Sequence, residues 1–81
     1  MNIDTITYRG YTARVEFDAE DRIFFGRVLG VRVIISFHCQ DKSELQASLE
    51  ASIDDYLADC ISRGINPEKP ESGNNYAENT L

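Results

Sequence analysis

Apolar and polar residues alternate along the first half of the chain and switch to helical spacing in the second half. Thr5 to Tyr8 predicts a short strand, and Arg9-Gly10 a bend after it. From Tyr11 to Phe17 the alternation is regular. Tyr11, Ala13, Val15 and Phe17 face one way and Thr12, Arg14 and Glu16 the other, the period-two pattern of a half-buried strand. The polar run Asp18-Ala19-Glu20-Asp21-Arg22 predicts a hairpin loop. Ile23 to Leu29 differs: Phe24 and Val28 flank Gly26 on one face, and Ile23, Phe25 and Leu29 lie with Arg27 on the other. A strand apolar on both sides must be covered on both, which predicts a central position. Gly30 marks the next reversal. Arg32 to Cys39 predicts one more strand, with Val33, Ile35 and Phe37 on one face and Arg32, Ile34, Ser36 and His38 on the other.

The period then changes. Leu45, Leu49, Ile53, Tyr56, Leu57, Cys60 and Ile61 fall within one arc at about 100° per residue, which predicts an amphipathic helix over residues 42–63. Asp41 and Glu44 have capping-box spacing at its start, Gly64 supplies a left-handed stop, and Pro67 bars continuation. After Asn66, two prolines, a glycine and many polar residues predict a flexible tail. The expected organisation is one α+β domain over residues 1–66 and a polar tail over 67–81. The domain is a three- to four-stranded antiparallel sheet packed on one amphipathic helix.

One helix covers one face of such a sheet. The other face is then expected to carry Ile34 and one apolar set of the central strand. An aromatic side chain left in water forgoes roughly 1.5–3 kcal/mol of burial, a large part of the margin of so small a domain. Self-association into a dimer or tetramer, through the uncovered face or a sheet edge, is therefore expected. Scattered, partly wet apolar residues are the alternative.

Charge narrows the partners. Eight Lys and Arg stand against fourteen Asp and Glu, a net charge of −6. That sign opposes unaided binding to nucleic-acid phosphates and suits a basic protein partner. No apolar run approaches the ~18 residues of a membrane span. The N-terminus lacks the pattern of a secretory signal. Cys39 and Cys60 then read as reduced, buried thiols of a cytoplasmic protein.

Candidate chemistry is sparse. His38 stands beside Cys39, but neighbouring strand residues point to opposite faces, and a nucleophile–base pair needs convergence. Asp18, Glu20 and Asp21 lack the glycine and distal glutamate of a calcium loop. A two-metal nuclease site needs carboxylates converging in a groove, whereas these strand interiors are apolar. No catalytic residue, metal site or cofactor is expected. The helix acids Glu44, Glu50, Asp54, Asp55 and Asp59 carry more information. The i,i+4 pairs Glu50/Asp54 and Asp55/Asp59 each cost roughly 0.2–0.5 kcal/mol. On a helical wheel Glu44, Asp55 and Asp59 flank one side of the apolar arc, and Glu50 and Asp54 the other. Two readings stand: a solvated face that aids solubility, and a surface that meets a basic protein.

Several segments carry a resemblance. Tyr8-Arg9-Gly10-Tyr11-Thr12-Ala13-Arg14-Val15-Glu16-Phe17-Asp18 followed by Phe25-Gly26-Arg27-Val28-Leu29-Gly30 resembles the HicB family of toxin–antitoxin antitoxins. Ser43-Glu44-Leu45, Ile53-Asp54-Asp55-Tyr56-Leu57, Arg63-Gly64, Pro67, Lys69-Pro70 and Ser72-Gly73 are similar to the same family. The resemblance implies a partial RNase H-like fold without nuclease activity. It also implies an antitoxin that binds and neutralises a small basic HicA-type mRNA-cleaving ribonuclease. Typical members continue into a ribbon-helix-helix or helix-turn-helix domain. Here Asn74-Asn75-Tyr76 leads into a short polar tail, so no direct operator binding is expected of this chain. The alternative function is a stand-alone, self-associating interaction module with no toxin partner.

Overall fold

A computed structural model describes residues 4–70. Four strands form an antiparallel sheet in chain order: β1 (Asp4–Tyr8), β2 (Tyr11–Asp18), β3 (Ile23–Val28) and β4 (Ser36–Cys39). A 3-10 turn (Lys42–Glu44) leads into α1 (Leu45–Arg63), which packs across one face of the sheet. This is the expected α+β architecture, with four strands. The strand apolar on both sides is β3, paired on both edges.

Local chemistry explains the turns. Arg9 and Gly10 both have positive φ, 52° and 83°, the left-handed pair that a two-residue hairpin requires. In the next loop Asp18 Oδ1 accepts from the amides of Glu20 (2.9 Å) and Asp21 (3.3 Å), so the loop carboxylate organises its own backbone. Residue parity then sets the core. Tyr11, Ala13 and Val15 of β2, Val28 of β3 and Phe37 of β4 are buried beneath Leu45, Leu49, Ile53 and Cys60 of α1. Leu49 and Ile53 are fully buried, each worth roughly 1.5–3 kcal/mol. Gly26 sits on this same face directly opposite Phe37. A Cβ there would lie well inside contact distance of Phe37 Cζ, so the bare backbone of residue 26 is what seats the tip of the aromatic ring.

Several expectations are corrected. The last strand begins at Ser36, not Arg32. β3 ends at Val28, and beyond it only the Val28 amide reaches Ile35 O, at 2.9 Å. The amide of Arg32 is taken by Glu68 Oε1 at 2.6 Å, so Val31 and Val33 pack on the core from a loop. Ile34 consequently lies off the sheet face, beside Ser52, Asp55 and Tyr56 of α1, and is 74% exposed. The helix proper starts at Leu45, and no side-chain cap bond forms at Asp41 or Glu44. Instead the Asp41 carbonyl accepts from the Glu44 amide in the 3-10 turn. Ile61, placed in the apolar arc, is 78% exposed; it stands about 100° around the helix from the buried Cys60, at the margin of that arc. Phe17 lies at the end of β2, 53% exposed, and leans on Phe24 with ring centroids 4.8 Å apart. Cys60 is buried as expected, whereas Cys39 is half-buried at the end of β4. The helix stop is as expected: Gly64 has φ 70°, its amide bonds to Ile61 O, and the Ile65 amide bonds to Cys60 O.

Of the polar tail expected after Asn66, residues 67–70 are described, and Glu68 among them is bonded to the domain. Tyr11 Oη donates to Glu68 O at 2.5 Å, and the Glu68 amide donates to Tyr56 Oη at 2.8 Å. With the Arg32 contact, Glu68 joins β2, the β3–β4 loop and α1. Burial pushes the Tyr11 phenol above its ordinary range, and the neighbouring Tyr56, Cys60 and Glu68 push the same way. Tyr56 is raised chiefly by burial, against a lowering contribution from the Glu68 amide. The remainder of the expected tail, residues 71–81, lies outside the described residues.

Candidate interaction surfaces

The two outer surfaces of this two-layer fold differ in chemistry. On the helix side, α1 turns Ala47, Ala51 and Ala58 outward, all exposed. The acids stand on either side of that ridge. Asp54 reaches the β1–β2 hairpin, where its two oxygens accept from Tyr8 Oη at 3.0 and 3.2 Å and Arg9 Nε lies 3.7 Å away. The Arg9 guanidinium also rests over the Tyr8 ring, 5.5 Å from its centroid. Glu50, on the same flank, accepts from Gln46 Nε2 at 3.2 Å, and that amide also donates to Thr7 O. On the other flank, Asp59 pairs with Arg63 at 3.2 Å. Asp55 lines a shallow cleft with Ile34, Ile35, Ser36, Ser52 and Tyr56. Glu44 lies in the 3-10 turn at the start of the helix.

The five predicted acids therefore do not form one patch. Three have partners within the chain. Glu44 and Asp55 are exposed and make no ion pair or side-chain hydrogen bond among the described residues. No local pattern in the sequence marks Arg9 and Tyr8 as partners of Asp54. The capture of an acid 46 positions away depends on how the helix lies across β1.

The other surface is the sheet face that α1 leaves bare. Strand register arranges it in rows. Glu16, Phe25 and His38 form one row across β2, β3 and β4, and Arg14, Arg27 and Ser36 form the next. Outside these lie Asp18 with Ile23, and Thr12 with Leu29, whose amide donates to Thr12 O at 2.9 Å. Phe25 is 39% and Leu29 37% exposed. A shallow groove of about 780 Å³ runs over this face, past Arg14, Glu16, Ile23, Phe25, Leu29 and His38. Arg14 Nε lies 3.8 Å from Glu16 Oε2, while Arg27 makes no ion pair among the described residues. The direct opposition of two arginines follows from strand parity and loop length together and from neither strand alone.

His38 lies on the open face and Cys39 on the helix face, as alternation requires. Among the described residues no three His, Cys, Asp or Glu side chains cluster in a way that would hold a metal ion. No helix of the described residues is long and apolar enough to cross a membrane. Comparison with known protein families, curated proteins and solved structures finds none that matches this chain.

Proposed function

We propose that this chain is a non-catalytic, antitoxin-like binding protein of the cytoplasm that covers a small basic ribonuclease of the HicA type. The observation that carries the reading is the outer side of α1. There a ridge of small side chains is bordered on both flanks by carboxylates, and Glu44 and Asp55 have no ion-pair or side-chain hydrogen-bond partner among the described residues. Small residues let a second backbone approach closely. Flanking acids steer and orient a cationic partner, an effect expressed mainly in the association rate. The resemblance of the Tyr8–Asp18 and Phe25–Gly30 segments to HicB antitoxins supplies the class of partner.

The test mixes the purified chain with a purified HicA-type toxin and follows complex formation and RNA cleavage. A complex at micromolar concentration with loss of cleavage supports the reading. Glu44→Lys with Asp55→Lys should then slow association and flatten its salt dependence, with the fold unchanged. The toxin to use is the small basic product of a neighbouring gene; absence of such a product, absence of a complex with it, or association indifferent to the charge reversal overturns the reading.

A further inference from the structure

We infer that the open face of the sheet is a two-fold interface between two copies of this chain, with Glu16 of each copy on Arg14 of the other and Phe25 of each on Arg27 of the other. The inference is independent of the helix-side reading and rests on the register of β2, β3 and β4.

Face-to-face packing of two identical sheets puts the symmetry axis in the plane between them. Sheets so packed stand about 10 Å apart with strand directions within about 30° of each other. Two placements of the axis are simple. An axis along the strands, between β2 and β3, lays β2 of one copy on β3 of the other. Arg14 then meets Arg27, and Glu16 meets Phe25. That arrangement repels. An axis across the strands, between the Glu16–Phe25–His38 row and the Arg14–Arg27–Ser36 row, exchanges the rows. Glu16 then meets Arg14, Phe25 meets Arg27 in cation–π geometry, and Ile23 meets Leu29. Each contact occurs twice, as an isologous interface requires.

This pairing accounts for features that the isolated chain leaves unexplained. Like charges directly opposite on neighbouring strands are destabilising, yet Arg14 and Arg27 are in register on an open face. In the dimer each arginine faces a group that attracts it. Ile23, Phe25 and Leu29 lie along β3 on the same face and are removed from water together. The charge order, acid above base on β2 with the aromatic ring beside the acid on β3, is complementary to its own inversion. Head-to-tail stacking, acidic helix on arginine-bearing sheet, would not close and would grow into filaments.

The experiment measures the mass of the full chain by light scattering and sedimentation from micromolar to sub-millimolar concentration, with no other protein present. The expected result is a reversible dimer, twice the 9.2 kDa of one chain. Arg14→Glu and Glu16→Arg singly should each weaken it by about tenfold or more, since each sets like charges face to face twice. The double variant Arg14→Glu/Glu16→Arg keeps composition, net charge and the intrachain pair, and should return dimerisation to within a few fold of the parent. Circular dichroism of each variant confirms that the fold is intact. A monomer throughout, a dimer indifferent to the single reversals, a double variant no better than the singles, or assembly that grows without limit would each overturn the inference.

Discussion

Replacing Gly26 by alanine tests the central packing of the fold. At most strand positions that change stabilises, because glycine loses more backbone freedom on folding, by roughly 0.5–1 kcal/mol. Gly26 does not have the positive φ that would reserve it for glycine. On backbone grounds alone alanine should therefore be neutral or better. The structure predicts the reverse. The added methyl would press on the tip of the Phe37 ring at Cζ, and that ring is only 8% exposed and held under α1. Overpacking a tight core costs about 1–3 kcal/mol, which outweighs the propensity gain. A loss of about 2 kcal/mol, with a urea slope of about 1 kcal/mol/M for a small domain, moves the unfolding midpoint down by about 2 M. In a thermal scan the same loss lowers Tm by about 4–8 °C per kcal/mol. Phe37→Leu shortens the offending side chain at its own cost in lost packing. In the double variant the methyl occupies space that the ring has vacated. The double variant should therefore be more stable than the sum of the singles predicts, by about 0.5–3 kcal/mol. A Gly26→Ala protein at least as stable as the parent, or strict additivity with Phe37→Leu, would refute the contact.

Three further outcomes follow from other contacts. Tyr11→Phe removes the hydroxyl that donates to Glu68 O and should cost about 0.5–1.5 kcal/mol near neutral pH in chemical unfolding. Because the folded-state pKa of Tyr11 is raised, its contribution is complete below the ordinary phenol value of 10.0 and is lost as pH rises through the higher folded value. The parent should therefore lose stability above about pH 10 more steeply than Tyr11→Phe does, and equal slopes in Tm against pH would contradict the buried phenol. Asp54→Asn should change unfolding free energy by less than ~0.5 kcal/mol, since the ion pair with Arg9 is exposed on both sides; a loss of several kcal/mol would mean the helix is anchored there. Arg22→Gly should raise stability by up to about 1 kcal/mol, because Arg22 holds φ 58° in the β2–β3 loop, and a lower Tm would show that the arginine side chain matters more than its strain.

Much of this architecture can be read from residue patterns where one local period dominates. The alternation of Tyr11, Ala13 and Val15 places β2 correctly, and Leu45, Leu49 and Ile53 place the buried side of α1. The pattern misleads where a distant group decides. Val31, Val33, Ile35 and Phe37 keep period two, yet only the last part pairs as a strand. Arg32 bonds to a residue 36 positions away instead of to β3, an exchange that no local window contains. Ile61 has helical spacing but stands at the margin of the apolar arc, about 100° from Cys60, and stays exposed. The helix acids were identifiable by type and flank. Asp54 is taken by Tyr8 and Arg9 through tertiary placement, whereas Asp59 with Arg63 and Glu50 with Gln46 are i,i+4 neighbours within the helix. The rows of the open face require cross-strand register, which follows only once both hairpin loops have their observed lengths.

Glu68 also bears on how the domain is made. Translation delivers the four strands and the helix before it delivers this residue, and three separate parts of the chain wait for its backbone and carboxylate. A nascent chain stalled ahead of that point would hold its layers together by apolar contact and by the links of Asp54 and Gln46 to the β1–β2 hairpin, with the phenols of Tyr11 and Tyr56 lacking these protein partners. The final locking of the domain is therefore late in its biogenesis, after the segment that carries Glu68 has emerged from the ribosome.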